Sequence, residues 1–227
     1  MPMTRHAVVQ SFLSLYERPS YLEIGVSKGS TFHAVEAARK VAVDPKFRFD
    51  VQKARRNHPG DQYHEATSDD YFGSIINIRE SFDVIYIDGL HTFEQTLRDF
   101  TNSLMYLASH GTIIIDDVFP STHLASIRDR EVFLQLRREM KASHDWMGDV
   151  YRLVYFIETF FQQLSFACVE ENHGQAVVWR EKRNSVPERR VEEIGRLPYE
   201  SAVLSKEIFN FSPCATIVEH VSRLVRA

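Results

Sequence analysis

Two segments of this chain place acidic side chains where apolar runs end. Ile87-Asp88-Gly89-Leu90-His91 closes the run at 82–87, and Ile115-Asp116-Asp117 closes the run at 112–115. Carboxylates brought together from two such ends repel one another unless they are protonated, hydrogen-bonded or bridged by a cation. Oxygen donors of this kind suit Mg2+, Ca2+ or Mn2+ better than a structural zinc. His91 stands beside the first acid, and an imidazole with an ordinary pKa of about 6.5 can take a proton at neutral pH.

A second constellation lies earlier, in Tyr21-Leu22-Glu23-Ile24-Gly25-Val26-Ser27-Lys28-Gly29. Gly25 lets the chain turn tightly after an apolar run, and Gly29 allows close approach where a helix is expected to start. Dinucleotide sites want Gly-x-Gly-x-x-Gly, and phosphate loops end in Gly-Lys-Ser/Thr. Ser27 and Lys28 break both patterns. An acid at position 23 repels a pyrophosphate but can accept hydrogen bonds from a cationic amino-acid ligand. Asp44 closes the next apolar run, in Val41-Ala42-Val43-Asp44-Pro45. A carboxylate there can accept both hydroxyls of a ribose.

These residues need a scaffold that brings separate strand ends together. Short apolar runs at 21–24, 41–43, 62–65, 82–87 and 112–115 read as strands. Between them, 31–39, 49–56, 69–78 and 92–107 read as helices. In the last of these, Phe93, Leu97, Phe100, Leu104 and Leu107 recur every three or four residues. Alternation of this kind predicts an α/β fold with a parallel sheet covered on both faces. All parallel strand ends then open on one rim, where Asp88 can meet one or both of Asp116 and Asp117.

Beyond Asp117, Pro120 and Ser121 break the chain. A helix is expected at 124–140, a loop with His144 at 141–148, and a helix capped by Asp149 running to Phe161. Runs at 164–169 and 176–179, joined through a turn containing His173, predict an antiparallel hairpin. Residues 181–190 read as an exposed linker or mobile loop, followed by short helices at 199–209 and 215–225. Trp146, Asp149 and Tyr151 sit where the chain can fold over a substrate, the aromatic as a wall and the acid as an orienting contact.

A net charge of −4 offers no basic excess for non-specific nucleic-acid binding. Cys168 and Cys214 are the only cysteines, too few for a zinc site and too isolated for a disulfide scaffold. No apolar run approaches the roughly 20 residues a membrane span needs, and no secretory signal is recognisable. The expected location is the cytoplasm, with a small molecule as partner and neither nucleic acid nor membrane.

The segments at 21–31, 43–45, 66–70, 82–94 and 111–120 together resemble class I S-adenosylmethionine (SAM)-dependent methyltransferases. They are most similar to a subgroup with Ile-Asp-Gly-x-His and an acidic pair after the fifth strand, and the likeness covers about half the chain. It implies a Rossmann-like fold, a seven-stranded mostly parallel sheet with a C-terminal antiparallel hairpin. The methyltransferase domain would take residues 1–181, including an N-terminal helix, and 182–227 would be a helical extension. That extension, with Phe209, Phe211, Ile217, Val218 and Leu224, packs on its own domain or on a second subunit; a homodimer is expected.

By the same resemblance SAM is the cofactor. Glu23, Gly25 and Ser27 would line its methionine end, with Gly29 in the same loop. Asp44 would hold the ribose, and Ser68 and Asp69 would flank the adenine. Catechol and some sugar O-methyltransferases hold a divalent cation with acids at two strand ends, which here makes Asp88, Asp116 and Asp117 the candidate metal ligands for Mg2+ or another divalent ion. The sugar enzymes carry a further acid where this chain has Leu90, so the general base falls to His91. The metal-free alternative leaves His91 alone as base, with Asp88 on the SAM ammonium. The expected reaction is O-methylation of a small hydroxylated molecule, as in natural-product or sugar tailoring. A SAM-using enzyme that does not methylate, an NAD-linked enzyme and a non-enzymatic SAM-binding protein are the alternatives.

Overall fold

The apolar runs become strands because both faces of the sheet they form are covered, so no polar alternation is called for. The computed structural model describes residues 2–141, 145–172 and 174–226. Its strands are β1 (Ser20–Ile24), β2 (Arg39–Asp44), β3 (Gln62–Glu65), β4 (Phe82–Ile87), β5 (Leu107–Ile115), β6 (Leu164–Val169), β7 (Ala176–Arg180) and β8 (Phe211–Ser212). They form one sheet in the order β3-β2-β1-β4-β5-β7-β6-β8. Strands β1 to β5 pair in parallel, and β7 runs antiparallel to both β5 and β6. This is the expected mostly parallel sheet with its C-terminal hairpin, and it carries one strand more than the seven expected. The addition is β8, two residues paired in parallel with Cys168 and Val169.

The helices are α1 (Arg5–Leu13), α2 (Val51–Asn57), α3 (Ser68–Asp70), α4 (Phe93–Met105), α5 (Arg130–Met140), α6 (Tyr151–Phe160), α7 (Val191–Ile194), α8 (Tyr199–Leu204) and α9 (Cys214–Val225). One face of the sheet, with Leu22, Ile24, Ile85, Ile87, Ile113 and Ile115, is covered by α4 and α6. The other, with Tyr21, Val84, Tyr86 and Ile114, is covered by α1 and α9. Each side chain of this size contributes about 1.5–3 kcal/mol when fully buried. Together they hold the strand ends in fixed register.

That register builds the site. Ile24 pairs with Ile87, and Ile87 with Ile115, so the last residues of β1, β4 and β5 stand level. The ladder continues one step further, with Asp88 N–H donating to Ile24 O and Asp116 N–H to Ile87 O. The residues that follow these strands therefore emerge on a common rim.

Several elements differ from expectation. The helix expected at 31–39 is a single turn, in which His33 N–H donates to Gly29 O and Val35 N–H to Thr31 O. It stops because the buried Lys40 ammonium takes the carbonyls of Phe32 and Val35, at 2.8 and 3.2 Å, which a longer helix would need. The helix expected at 124–140 begins only at Arg130, where Asp129 accepts the N–H groups of Glu131 and Val132. The helix expected to reach Leu107 ends at Met105, and Leu107 already pairs with Phe82 in β5.

Residues 181–190 have no regular structure. They are nonetheless anchored, since the Arg183 guanidinium donates to the carbonyls of Leu164, Ile157 and Phe161. The chain then returns past the edge of β6, burying Ile194, Ala202 and Phe209 on the α6 face and Cys214, Ile217 and Val221 on the α1 face. His144 and His173 lie outside the described residues. Among the described residues no helix is long and apolar enough to cross a membrane.

Candidate active site

Three residues other than glycine have left-handed backbone on this rim: Ser27 after β1, His91 after β4 and Asp117 after β5, with φ of 47°, 59° and 59°. Such conformations cost energy and persist where the surroundings over-determine them. His91 is closely packed. Its carbonyl is so close to Gly148 that a Cβ there would lie 1.8 Å from the oxygen. Gly25 is demanded in the same way, since a Cβ would meet the Asp88 carbonyl oxygen at 2.0 Å. Both glycines let separate loops touch.

His91 and Asp117 form a close pair, Nδ1 to Oδ2, at 2.8 Å. His91 Nε2 stands 3.8 Å from Asp88 Oδ1. Burial works against a charge on the ring, but the hydrogen bond to Asp117 and the charges of Asp117, Asp88 and Asp116 outweigh it and raise its pKa to about 9. Burial, then Asp116 and Asp117, hold the Asp88 carboxyl well above the usual carboxylate range. Asp88, His91 and Asp117 each offer one ligand atom, all within 4.8 Å of one another.

Asp116 is directed elsewhere. It receives the Tyr86 hydroxyl at 2.8 Å and stands 2.5 Å from Arg5 Nε, while Arg5 Nη2 is 3.4 Å from Asp117. The three carboxylates expected as one cation site are thus divided. Asp88 and Asp117 gather round His91, and Asp116 is neutralised by a guanidinium from α1. Glu23 is also buried and accepts the Tyr21 hydroxyl at 2.6 Å. Burial pushes its pKa up to about 8, against the effect of that hydrogen bond and with the help of Asp88.

Asp44 accepts the N–H of Ser27 at 2.8 Å and of Lys46 at 2.7 Å, one on each carboxylate oxygen. A carboxylate has about four lone-pair sites, so both oxygens keep capacity for a ligand hydroxyl. Ser68 and Asp69 begin α3 and meet α4 through Gln95, whose Nε2 lies 3.2 Å from each of them and 3.0 Å from the buried Asp99. Arg98 pairs with Asp69 at 3.1 Å.

The three substrate-wall candidates separate. The Trp146 ring lies 5.2 Å from the His91 ring, held by its Nε1–H donating to Ile127 O at 2.6 Å. Asp149 is only 1% exposed, and its oxygens take the Phe93 N–H at 2.7 Å and Arg152 Nη1 at 2.6 Å. It secures the start of α4, not the start of α6 as its position suggests. Tyr151 is 2% exposed and donates its hydroxyl to Leu197 O, which ties α6 to the C-terminal segment. The polar groups of both have partners within the protein.

Residues 22–118, from β1 through the acidic pair, match the sequence profile of a family described as a methyltransferase domain. The likeness in sequence is therefore to a methyltransferase domain, over somewhat less than half of the chain. Similar solved structures include one described as a caffeoyl-CoA O-methyltransferase from Staphylococcus aureus, at TM-score 0.53 and 15% identity over 78% of this chain and 84% of that one. A structure described as an O-methyltransferase from Klebsiella pneumoniae aligns at TM-score 0.52 and 18% identity, over 77% and 80%. TomG from Streptomyces achromogenes, an O-methyltransferase of tomaymycin synthesis solved with SAM, aligns at 0.51 and 13%, over 77% and 78%. At these identities the likeness is one of fold. No curated protein matches the chain in sequence.

The matched segment includes the rim residues Gly25, Asp44, Asp88, His91 and Asp117. Sequence reasoning missed Arg5, Gln95, Asp99 and Gly148. No local signal connects position 5 to position 116, or 148 to 91. Gln95 and Asp99, by contrast, are spaced i, i+4 on the clearest helix and share one of its faces.

Proposed function

We propose that this protein transfers the SAM methyl group to a hydroxyl of a small molecule, with His91 as the general base. The observation that carries this is the His91–Asp117 pair at 2.8 Å, on the same rim as Gly25 and Asp44. Asp117 on Nδ1 selects the tautomer that leaves Nε2 as proton acceptor in the neutral ring. The residues fit the cofactor: Asp44 has lone pairs left for the ribose, and Asp88 and Glu23 are acids suited to its ammonium.

When bound, SAM supplies an electrophilic methyl on its sulfonium. His91 Nε2 takes the acceptor's proton as the oxygen forms its bond to that methyl, so a methyl ether and S-adenosylhomocysteine leave. Asp88, once its carboxylate meets the ammonium, holds the imidazole proton less strongly and brings His91 closer to a working base near neutrality. Trp146 provides one wall for the acceptor. Alignment of the acceptor oxygen is the larger part of the work.

A second reading has its own observation, the ligand atoms of Asp88, His91 and Asp117 within 4.8 Å of one another. A divalent cation held there would acidify the acceptor hydroxyl directly, and His91 would be a ligand instead of the base. Calorimetric titration with SAM, followed by acceptor turnover in EDTA and in Mg2+, tests both. Saturable SAM binding with turnover retained in EDTA supports the base mechanism, and turnover that requires Mg2+ supports the cation. A folded protein that binds neither SAM nor S-adenosylhomocysteine refutes the proposal.

A further inference from the structure

The mouth of the site has a feature that the methyl-transfer chemistry leaves unused. Arg130, the first residue of α5, stands with its guanidinium carbon 5.8 Å from the Trp146 ring centroid. The same ring has its centroid 5.2 Å from that of the His91 ring. Trp146 therefore neighbours both the base and the cation, and its ring is fixed by Ile127 O and flanked by Phe133 at 6.4 Å.

Nearby guanidiniums are already neutralised. Arg128 pairs with Glu94 at 2.8 Å, and Arg152 with Asp149 at 2.6 Å. Among the described residues, no carboxylate lies within ion-pair distance of Arg130, and its side chain is exposed. The opposite end of the site has the opposite character, because Asp88 and Asp117 flank His91. A carboxylate on the acceptor finds an uncompensated guanidinium at Arg130, beside the Trp146 wall, while the acceptor's hydroxyl faces His91.

We infer that Arg130 is a specificity-determining residue that reads a carboxylate on the acceptor, making the substrate class hydroxylated carboxylic acids bound hydroxyl-inward along Trp146. A planar carboxylate matches the guanidinium fork, which a lysine could not reproduce. The assignment of the acceptor's orientation rests on His91 marking the reacting end; the charge preference itself does not depend on methyl transfer.

The test is calorimetric binding of 4-hydroxybenzoate and its uncharged counterpart 4-hydroxybenzamide, with and without S-adenosylhomocysteine. The wild-type protein, Arg130→Gln and Arg138→Gln are compared; Arg138 is an exposed residue of the same helix. The acid is expected to bind about tenfold tighter than the amide in the wild type and in Arg138→Gln, and Arg130→Gln to remove that preference. Equal binding of acid and amide by the wild type, no binding of either at millimolar concentration, or a preference that survives Arg130→Gln overturns the assignment. Unchanged S-adenosylhomocysteine affinity in Arg130→Gln shows that the variant is folded. Loss of that affinity in the wild type counts against the methyl-transfer proposal instead, and the acid–amide comparison without it still reads Arg130.

Discussion

Arg5 Nε lies 2.5 Å from Asp116 Oδ2, joining the first helix of the chain to the end of the fifth strand. The Asp116 side chain is wholly buried there, whereas that of Arg5 is 40% exposed. Arg5→Ala is expected to cost about 1–3 kcal/mol, less than for a fully enclosed pair because water still reaches the guanidinium. Urea unfolding measures it. The same variant should bind Mg2+ more tightly by calorimetry, since Asp117 loses a neighbouring cation.

His91→Ala is expected to lower kcat by about 10²–10⁴-fold with SAM affinity retained. Asp117→Asn should lower the His91 pKa from about 9, because the hydrogen bond and charge that raise it are both weakened. Proton NMR titration of the ring reads this directly. The sign for stability follows from a folded pKa above the unfolded value. The pair's contribution is fully present below about pH 6.5 and is lost as the pH rises through about 9.

Glu23 behaves in the same direction for a different reason. Its folded pKa of about 8 stands above the ordinary 4.5, so the fold favours the neutral acid. Its contribution is present below pH 4.5 and disappears as the pH climbs through 8. Glu23→Gln should therefore melt closer to its own acidic value at pH 8, by about 2–8 °C relative to the wild type. If Glu23 serves the cofactor's ammonium, the same variant also binds SAM more weakly.

Asp44→Ala should weaken SAM binding by about ten- to a hundredfold, the worth of hydrogen bonds to a charged acceptor. Circular dichroism checks that the turn at Ser27 and Lys46, whose N–H groups it also frees, remains folded.

Asp149→Ala should destabilise the protein by about 1–3 kcal/mol, since Phe93 N–H loses its acceptor and Arg152 its partner. Acceptor KM for the remaining folded enzyme should be unchanged. A rise in KM at constant stability would return Asp149 to the substrate wall.

The rim residues were legible in the sequence because strand ends are. Apolar runs of three to six residues followed at once by Gly25, Asp44, Asp88 or Asp116 need only the parallel sheet to be placed on one side. The helix expected at 31–39 shows where this fails. Nothing in the local pattern reveals that Lys40, buried on β2, will take the carbonyls that end the turn.

What the sequence determined by itself was the order of strands and helices and the acids at the strand ends. Hydrophobic period and glycine placement act over a few residues, and those distances are written in the chain. Tertiary structure alone decided which acids share a space. Asp116 and Asp117 are neighbours, yet successive residues leave a strand toward different sides. One therefore meets Tyr86 and Arg5 Nε on the α1 face, and the other meets His91 while keeping Arg5 Nη2 at 3.4 Å. It likewise turned Asp149 inward to α4 and left Trp146 beside the base, because each depended on contacts between residues dozens of positions apart.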